Sequence, residues 1–357
     1  MKHLGDITKI HGDKIEPVDC ITFGSPCQDL SIAGRRAGLA GERSGLFMEA
    51  VRIIKEMRLS TDGLHPTFAV WENVPGAFSS NGGEDFRAVL EELARVEQPD
   101  AIVPRPPRGG RWSKAGAIAG NGWSLAWRQL DAQYWGVPQR RKRIALVVDF
   151  AGLRAAKILF ERTGVSGHPD EGVKAWKEAA GLATNCHAGN GRNFVQPVVL
   201  ESNQVHATAT QTGICPTLSA SMGMGGGYIP MVTNKAEKAI HWIVRRLTPT
   251  ECERLQGYPD GWTDIGEWVD TKGKKHKPAD SPRYKALGNS IALPQWFWIA
   301  QKMKPYLGKN ATLGSLFDGI GGFPLVWQRT YGEGTARWAS EIESFCVAVT
   351  KRRFGEE

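Results

Sequence analysis

The sequence lacks any hydrophobic run near the roughly 18 residues that a membrane-spanning helix needs, and its opening residues have no signal-peptide core. Cysteine is scarce: six residues are spread over 357, without a C-x-x-C pair, and the eight histidines show no paired ligand spacing. These absences argue against an integral membrane protein, a disulfide framework and a bound metal. We expect a protein of the reducing cytoplasm, long enough for about two domains.

Acidic residues are nearly absent between Arg105 and Arg143, where nine lysines and arginines accompany the single acid Asp131. The chain as a whole carries a formal net charge of +8. Aromatic residues are interleaved with the basic ones, and they are Trp112, Trp123, Trp127, Tyr134 and Trp135. This mixture suits phosphate contacts and base stacking, although a solvated loop would have the same charge pattern.

Apolar runs of strand length alternate with helical patterns, which is typical of an α/β protein with a parallel sheet. We predict strands at 18–23, 67–71, 144–150, 313–317 and 335–342, and helices at 46–57, 84–96, 249–256, from about 323, and ending at 353. Periodicity fades from 151 to 240, which indicates a separate small domain. The remaining predicted segments are 1–150 as the first part of the large domain, 241–303 as helices returning to it, 304–312 as a linker and 313–357 as its last part.

A glycine-rich turn, Asp318 to Gly322, lies between a predicted strand and a predicted helix. Glu341 ends the next strand, where its carboxylate can accept both hydroxyls of a ribose. The turn lacks the G-x-G-x-x-G spacing of dinucleotide sites, and no Walker lysine follows it. A tight turn without a ligand is one interpretation. A ligand with adenosine and no pyrophosphate is the other.

Cys27 and Glu72 each follow a predicted buried strand, in the segments GSPCQDLS and WENVPG. The carboxyl ends of neighbouring parallel strands meet at one edge, so we expect a thiol and an acid in one crevice. Cys20, Cys252 and Cys346 are expected to be buried apolar side chains instead. Without a metal pattern or a nearby second cysteine, Cys27 is predicted to be a nucleophile.

Six segments together resemble the motifs of the DNA cytosine-5 methyltransferases, over nearly the whole chain except 151–240. They are GSPCQDLS, WENVPG, GVPQRRKR, RRLTPTECERLQGYPDGW, RYKALGNSIALP and SLFDGIGGF. The resemblance implies a doubly wound, Rossmann-like fold that binds S-adenosylmethionine, with a small target-recognition domain at 151–240. It implies a methyl transfer to carbon 5 of a cytosine flipped out of double-stranded DNA.

The resemblance also implies roles for single residues. Cys27 would attack carbon 6 of the cytosine, Glu72 would protonate or hydrogen-bond ring nitrogen 3, and Arg143 and Arg141 would hold the base. The positions similar to the family's cofactor site are Phe317, Gly319, Gly321, Gly322, Glu341, Asp6, Leu46, Asn289 and Ser290. The loop 28–45 is similar to a flap that closes over DNA, and its expected DNA contacts are Gln28, Ser31, Arg35, Arg36 and Arg43.

Two features depart from the family pattern. Ser315 stands where the family often has Asp, and Asp318 where it often has a small residue. The segments SLFDGIGGF and the Glu341 strand, which usually open the chain, follow GNS here. This order predicts a circular permutation, with the two chain ends within about 15 Å and with Asp6 and Glu341 facing one adenosine.

Two alternatives stay open: a cytosine methyltransferase that acts on RNA, and a DNA-binding relative without catalysis. The expected partners are double-stranded DNA and a possible cognate restriction endonuclease, with no membrane and no metal. We expect a monomer, encoded by a prokaryote or a phage. The recognition sequence cannot be read from the chain.

Overall fold

The structure is a computed structural model that describes residues 1–25, 45–105, 112–160, 199–202, 207–210, 231–235 and 242–355. Its strands are β1 (Lys2–His3), β2 (Cys20–Phe23), β3 (Phe68–Asn73), β4 (Ala115–Ala119), β5 (Ser124–Asp131), β6 (Lys142–Asp149), β7 (Val199–Ser202), β8 (Ala207–Thr210), β9 (Met231–Lys235), β10 (Trp242–Arg246), β11 (Trp268–Val269), β12 (Lys275–His276), β13 (Leu313–Leu316) and β14 (Ala336–Ser340). Its α-helices are α1 (Gly45–Ser60), α2 (Glu84–Ala94), α3 (Ala155–Leu159), α4 (Pro249–Gln256), α5 (Asp280–Asn289), α6 (Leu293–Met303), α7 (Gly322–Tyr331) and α8 (Ser344–Phe354). Among the described residues, no helix is both long enough and apolar enough to cross a membrane.

The large sheet has eight strands in the order β1-β14-β13-β2-β3-β6-β5-β4. The pairs from β1 to β3 are parallel, whereas β3–β6, β6–β5 and β5–β4 are antiparallel. The prediction of a parallel sheet is therefore wrong for the strand at 144–150. The link from β5 to β6 is only 132–141, which is too short for the crossover that parallel neighbours need.

Helices cover both faces of this sheet, which confirms the doubly wound α/β class. Alternate residues of β2 point to opposite faces: Cys20 joins one apolar cluster, while Ile21 and Phe23 join the other. The first cluster includes residues of α3, α6, α7 and α8, and the second includes residues of α1 and α2. Cys252 and Cys346 are buried as expected.

Most predicted elements of the large domain are present, with small shifts at their ends. Thr248 caps α4 through its side chain, Glu251 completes the capping box, and Gly257 ends the helix in a left-handed conformation. The linker at 304–312 contains a 3₁₀ helix, Lys304–Tyr306. The local sequence signals therefore located these elements correctly.

The aromatic residues of the basic stretch are mostly core residues, so the predicted base-stacking surface is wrong for them. Trp123, Trp127 and Trp135 are buried, and Trp127 Nε1 donates to the carbonyl oxygen of Ser113 over 3.0 Å. Trp112 is partly buried, and Tyr134 is exposed. These indoles belong to β5 and its flanking turns, and the charge pattern had hidden this strand.

Four short strands form a second, antiparallel sheet in the order β10-β9-β7-β8. Most of 151–240 lies outside the described residues, including the candidate groove-reading loops TQTGICPTLSAS and MGMGGGYIP. Helix α3 packs into the large domain, where Arg128 Nη1 donates to the carbonyl oxygen of Leu159 over 3.0 Å. A separate recognition domain at 151–240 stays a prediction.

The beginning and the end of the described chain lie side by side. Strand β1 pairs in parallel with β14, and the Met1 amino group donates to the carbonyl oxygen of Phe354 over 3.5 Å. Glu357 lies outside the described residues. The expected closeness of the two ends is confirmed as far as Phe354.

Glu253, on α4, is a fully buried acid that organises the loop after its helix. Its carboxylate accepts from the Gly261 amide over 2.7 Å, from the Thr263 amide over 2.8 Å and from the Thr263 hydroxyl over 2.5 Å. Arg283 Nη2 lies 3.4 Å from the same carboxylate. The loop in turn places Trp262, whose Nε1 donates to the carbonyl oxygen of Ile320 over 2.8 Å.

Glu253→Gln should lower the free energy of unfolding by about 2–3 kcal/mol, because an amide NH₂ would face backbone donors that now bind a carboxylate. Urea denaturation measures this loss. The control is Arg254→Gln on the same helix. It removes an exposed ion pair with Asp260, which follows the helix, and should lower the free energy of unfolding by about 0.5 kcal/mol. Equal losses in the two variants would contradict the role given to Glu253.

Candidate active site

The candidate crevice begins where β2 and β3 end next to each other. The two strands are parallel and in register from Cys20–Phe68 to Phe23–Trp71. Gly24 and Ser25 follow β2, and Glu72 stands near the end of β3. Cys27 itself lies outside the described residues, two positions beyond Ser25. The segment that carries the predicted thiol therefore leaves the sheet beside Glu72.

Glu72 and Arg143 form an ion pair at this edge, with Arg143 Nε 2.7 Å from Glu72 Oε1. Both side chains are largely shielded from solvent, at 14% and 13% exposure, so the pair is weakly screened. Glu72 Oε2 lies against Gly24, where an added Cβ would approach it to 3.1 Å. Arg143 fixes one carboxylate oxygen, and the other lies beside the start of the Cys27 segment.

Two residues that the sequence did not single out fix the backbone ahead of Cys27. Asn73 Nδ2 donates to the carbonyl oxygen of Ser25 over 3.2 Å, and Trp71 Nε1 donates to the Ser25 hydroxyl over 3.2 Å. Asn73 Oδ1 also accepts from the Val74 amide over 2.8 Å. Their only sequence signal was their place on either side of Glu72.

Arg141 differs from Arg143 because it is fully buried. Its Nη2 donates to the carbonyl oxygens of Gly288, over 3.1 Å, and of Ser290. Burial, and secondly the charge of Arg143, hold the pKa of Arg141 well below its usual range. In this structure Arg141 ties the start of β6 to the GNS segment, and its predicted contact with the base stays a prediction.

The glycine turn follows β13 at the same edge of the sheet. Phe317 has a φ of 55°, a left-handed value that is unfavourable for a side chain with a Cβ, and Gly319 and Gly321 follow with φ values of 58° and 80°. The Gly319 amide donates to Glu341 Oε2 over 2.7 Å. This bond joins the turn after β13 to the acid after β14.

Glu341 and Asp6 stand at the ends of neighbouring parallel strands, as expected. The Ser340 hydroxyl donates to the carbonyl oxygen of Gly5 over 2.7 Å, which joins the two strand ends. Asp6 Oδ1 accepts from the Thr8 amide over 3.0 Å, and this bond lowers the pKa of Asp6. Ile342, next to Glu341, is 70% exposed, an unusual place for a large apolar side chain that the sequence did not reveal.

The GNS segment packs against the glycine turn. The Ser290 and Tyr258 hydroxyls share a hydrogen bond of 2.5 Å, and an added Cβ on Gly322 would lie 2.5 Å from the Tyr258 oxygen. Asn289 is exposed, and Leu46 is half-buried at the start of α1. The predicted cofactor residues of the turn and of GNS are therefore brought together.

The predicted DNA contacts Gln28, Ser31, Arg35, Arg36 and Arg43 all lie outside the described residues. Away from the crevice, His11, Asp13 and Glu56 bring possible metal-ligand atoms within 4.8 Å of one another. Glu56 is already bound by Arg52 at 2.8 Å and by the Gly12 amide at 2.6 Å. His11 and Asp13 are exposed, and Glu56 is half-buried.

Comparison with known proteins identifies the family. The family of C-5 cytosine-specific DNA methylases matches residues 1–97 and 158–305, which is more than half of the chain. The protein therefore belongs to the C-5 cytosine-specific DNA methylases, as the six motifs predicted. The glycine turn and Glu341 lie outside the matched ranges.

Two similar proteins have names that state an activity. A DNA N-6-adenine-methyltransferase of Escherichia phage P1 is 29% identical over 84% of this chain, but the match spans only 55% of that protein. The Type II methyltransferase M.Bsp6I of Bacillus sp. (strain RFL6) is 26% identical over 84% of this chain and 83% of that protein. A crystal structure of S. pombe Dnmt2 methyltransferase covers 85% of this chain and 84% of that one, with a TM-score of 0.49 and 17% identity. The fold assignment rests on the strand order and not on this last likeness.

Arg141→Met should lower the free energy of unfolding by about 2–4 kcal/mol, because it leaves two buried carbonyl oxygens without their donor. Arg140→Met is the matched control, since Arg140 is the exposed neighbour and should cost less than about 0.5 kcal/mol. Thermal and urea unfolding measure both. An Arg141→Met protein as stable as the control would return Arg141 to a purely substrate-binding role.

Proposed function

We propose that the protein transfers a methyl group from S-adenosylmethionine to carbon 5 of a cytosine that is flipped out of a specific double-stranded DNA sequence. The observation that carries this proposal is the Glu72–Arg143 pair beside Gly24, at the strand end next to the one that leads to Cys27. A thiol, an acid and a guanidinium are then available to one planar base. Family membership supports the reaction type.

The residues around the glycine turn suit the proposed methyl donor. The Glu341 carboxylate accepts hydrogen bonds from three backbone amides, those of Gly319, Ile342 and Glu343. A carboxylate offers about four acceptor positions. A ribose with two hydroxyls would therefore displace one of these amides. The exposed Ile342 offers an apolar surface for adenine, and the Asp6 carboxylate stands at the adjacent strand end. The bound donor supplies an electrophilic methyl group.

The proposed chemistry of the chain begins with Cys27. Its thiolate forms a bond to carbon 6 of the cytosine, which pushes electron density toward ring nitrogen 3 and carbon 5. Glu72 gives nitrogen 3 a hydrogen bond or a proton, and Arg143 orients Glu72 through the 2.7 Å contact. Carbon 5 accepts the methyl group and loses its proton, and the carbon–sulfur bond then breaks to release Cys27.

We assign the remaining parts of the function to two segments that lie mostly outside the described residues. The loop at 28–45 would contact DNA through its basic residues Arg35, Arg36 and Arg43, and also through Gln28 and Ser31. Sequence reading would lie in 151–240. Because relatives are named Type II methyltransferases, we propose a role in restriction-modification beside a cognate endonuclease, in the cytoplasm of a prokaryote or of a phage host.

Trapping on fluorinated DNA tests the proposal directly. Plasmid DNA synthesised with 5-fluorocytosine in place of cytosine should form a covalent complex with the protein when S-adenosylmethionine is present, because fluorine blocks the final elimination. Denaturing gel electrophoresis detects the complex. Cys27→Ala should form none, whereas Cys252→Ala, which changes a buried core thiol, should still form it. Glu72→Gln should slow its formation roughly a hundredfold.

A second experiment incubates unmodified DNA and unmodified RNA with the protein and S-adenosylmethionine. Mass spectrometry of the nucleosides then identifies the methylated base and separates the alternatives. The proposal requires 5-methylcytosine in DNA. N6-methyladenine would instead indicate the activity for which the phage P1 relative is named, and 5-methylcytosine only in RNA would favour the RNA enzyme. DNA binding without any methylated base would indicate a relative that has lost catalysis.

We also propose that the order of segments arose by circular permutation. The support is the motif order, the parallel pairing of β1 with β14 and the contact of Met1 with Phe354. The segment 304–312 would then be the join between the former ends. Asp6 and Glu341, far apart in sequence, would form one adenosine site.

A rearranged chain that starts at Gly308 and joins Glu357 to Met1 should fold with a melting temperature within a few degrees of the natural order. The new join spans a short gap, and the new first residue, Gly308, lies in the exposed stretch 308–310. Circular dichroism and binding of S-adenosylhomocysteine measure the outcome. Loss of folding together with loss of binding would contradict the permutation.

A further inference from the structure

Asp318 is an unusual acid for the interior of the glycine turn. It is 6% exposed, and its Oδ1 accepts from the Ser315 hydroxyl over 2.5 Å. Its Oδ2 is buried and has no hydrogen-bond partner among the described residues. A buried carboxyl oxygen without a hydrogen-bond partner is costly, so its retention points to a group that arrives from outside the chain.

The surroundings of Asp318 contain no compensating charge from the described chain. The titratable groups that interact with it electrostatically are Glu341 after β14, Tyr258 after α4 and Cys346 on α8. None of these three is a cation. Burial, opposed by the Ser315 hydrogen bond and aided by Glu341, raises the pKa of Asp318 to about 8. In the free protein at neutral pH, Asp318 is therefore mostly protonated.

We propose that Asp318 is the counter-ion for the α-ammonium group of the bound methyl donor, with Oδ2 accepting its hydrogen bond. This inference rests on the proposed function, because it needs S-adenosylmethionine in the crevice. The donor carries two cationic groups, a sulfonium and an ammonium, and only the ammonium has N–H bonds to satisfy Oδ2. Asp318 and Glu341 follow neighbouring strands, which lie about 5 Å apart, so one ligand can reach both.

Calorimetry with two ligands separates this contact from general damage to the site. S-adenosylhomocysteine has the ammonium group. Methylthioadenosine has the adenosine and a methylthio group but no ammonium group. At pH 8.5, Asp318→Asn should weaken S-adenosylhomocysteine binding at least tenfold and change methylthioadenosine binding less than twofold. Glu343→Gln, which removes an exposed carboxylate near the same edge, is the matched control and should change neither by more than twofold.

The wild-type protein provides a second measurement that needs no variant. Binding of S-adenosylhomocysteine should release close to one proton at pH 7, and its affinity should rise up to about tenfold per pH unit between pH 6 and 8. The sign follows because the raised pKa keeps Asp318 neutral until a cation arrives. Methylthioadenosine binding should show neither effect. Calorimetry in buffers of different ionisation enthalpy counts the protons.

Three results would overturn the inference. They are unchanged S-adenosylhomocysteine binding in Asp318→Asn, an equal loss for both ligands, and wild-type binding without proton release. A wild-type protein that binds neither S-adenosylmethionine nor S-adenosylhomocysteine would refute the proposed function itself. The failure of one is thus distinguishable from the failure of the other.

Discussion

The buried guanidinium of Arg141 joins the two sides of the crevice. From the start of β6 it donates to the carbonyl oxygens of Gly288 and Ser290, which end α5. Ser290 shares a hydrogen bond with Tyr258, and the Tyr258 hydroxyl occupies the space beside Gly322 in the glycine turn. An arginine in the interior loses its hydration, so these carbonyl oxygens are needed to offset the cost. The GNS segment is thereby held against both the start of β6, which carries Arg143, and the glycine turn.

Strand direction determines which residues reach the crevice. Five parallel strands place Asp6, Ser25, Glu72, Asp318 and Glu341 at one edge, because parallel strands end together. Strand β6 runs the opposite way, so its amino end lies at that edge, with Glu72 opposite Ala145. If β6 were parallel, Arg143 would stand roughly 20 Å away, at the other end of a strand that rises about 3.3 Å per residue. The antiparallel strand is thus a condition for the ion pair.

The sequence was sufficient for elements that stand out as apolar runs between clear caps, such as α4 between Thr248 and Gly257. It was insufficient where pairing decides the outcome. Strands β4 and β5 were missed because AGAIA is half exposed and because the indoles of β5 are surrounded by basic residues. In the crevice, residue types identified Glu72 and Arg143. Contacts between distant segments, such as Asn73 with Ser25 and Arg141 with Ser290, have no local pattern to reveal them.

Two acids lie at the glycine turn: Asp318 is within it, and Glu341 follows the neighbouring strand. Their carboxyl groups receive different numbers of hydrogen bonds, and the backbone explains why. Glu341 follows β14 where three amides converge on its carboxylate, so both of its oxygens have donors before any ligand binds. Asp318 uses its own amide to bind the carbonyl oxygen of Ser340, and its side chain receives only the Ser315 hydroxyl. The turn thus gives Glu341 the Gly319 amide, whereas the side chain of Asp318 is left with one donor. One edge of the sheet thus holds a carboxylate whose two oxygens already accept backbone amides and, next to it, an acid whose charged form is favourable only when a cation is present.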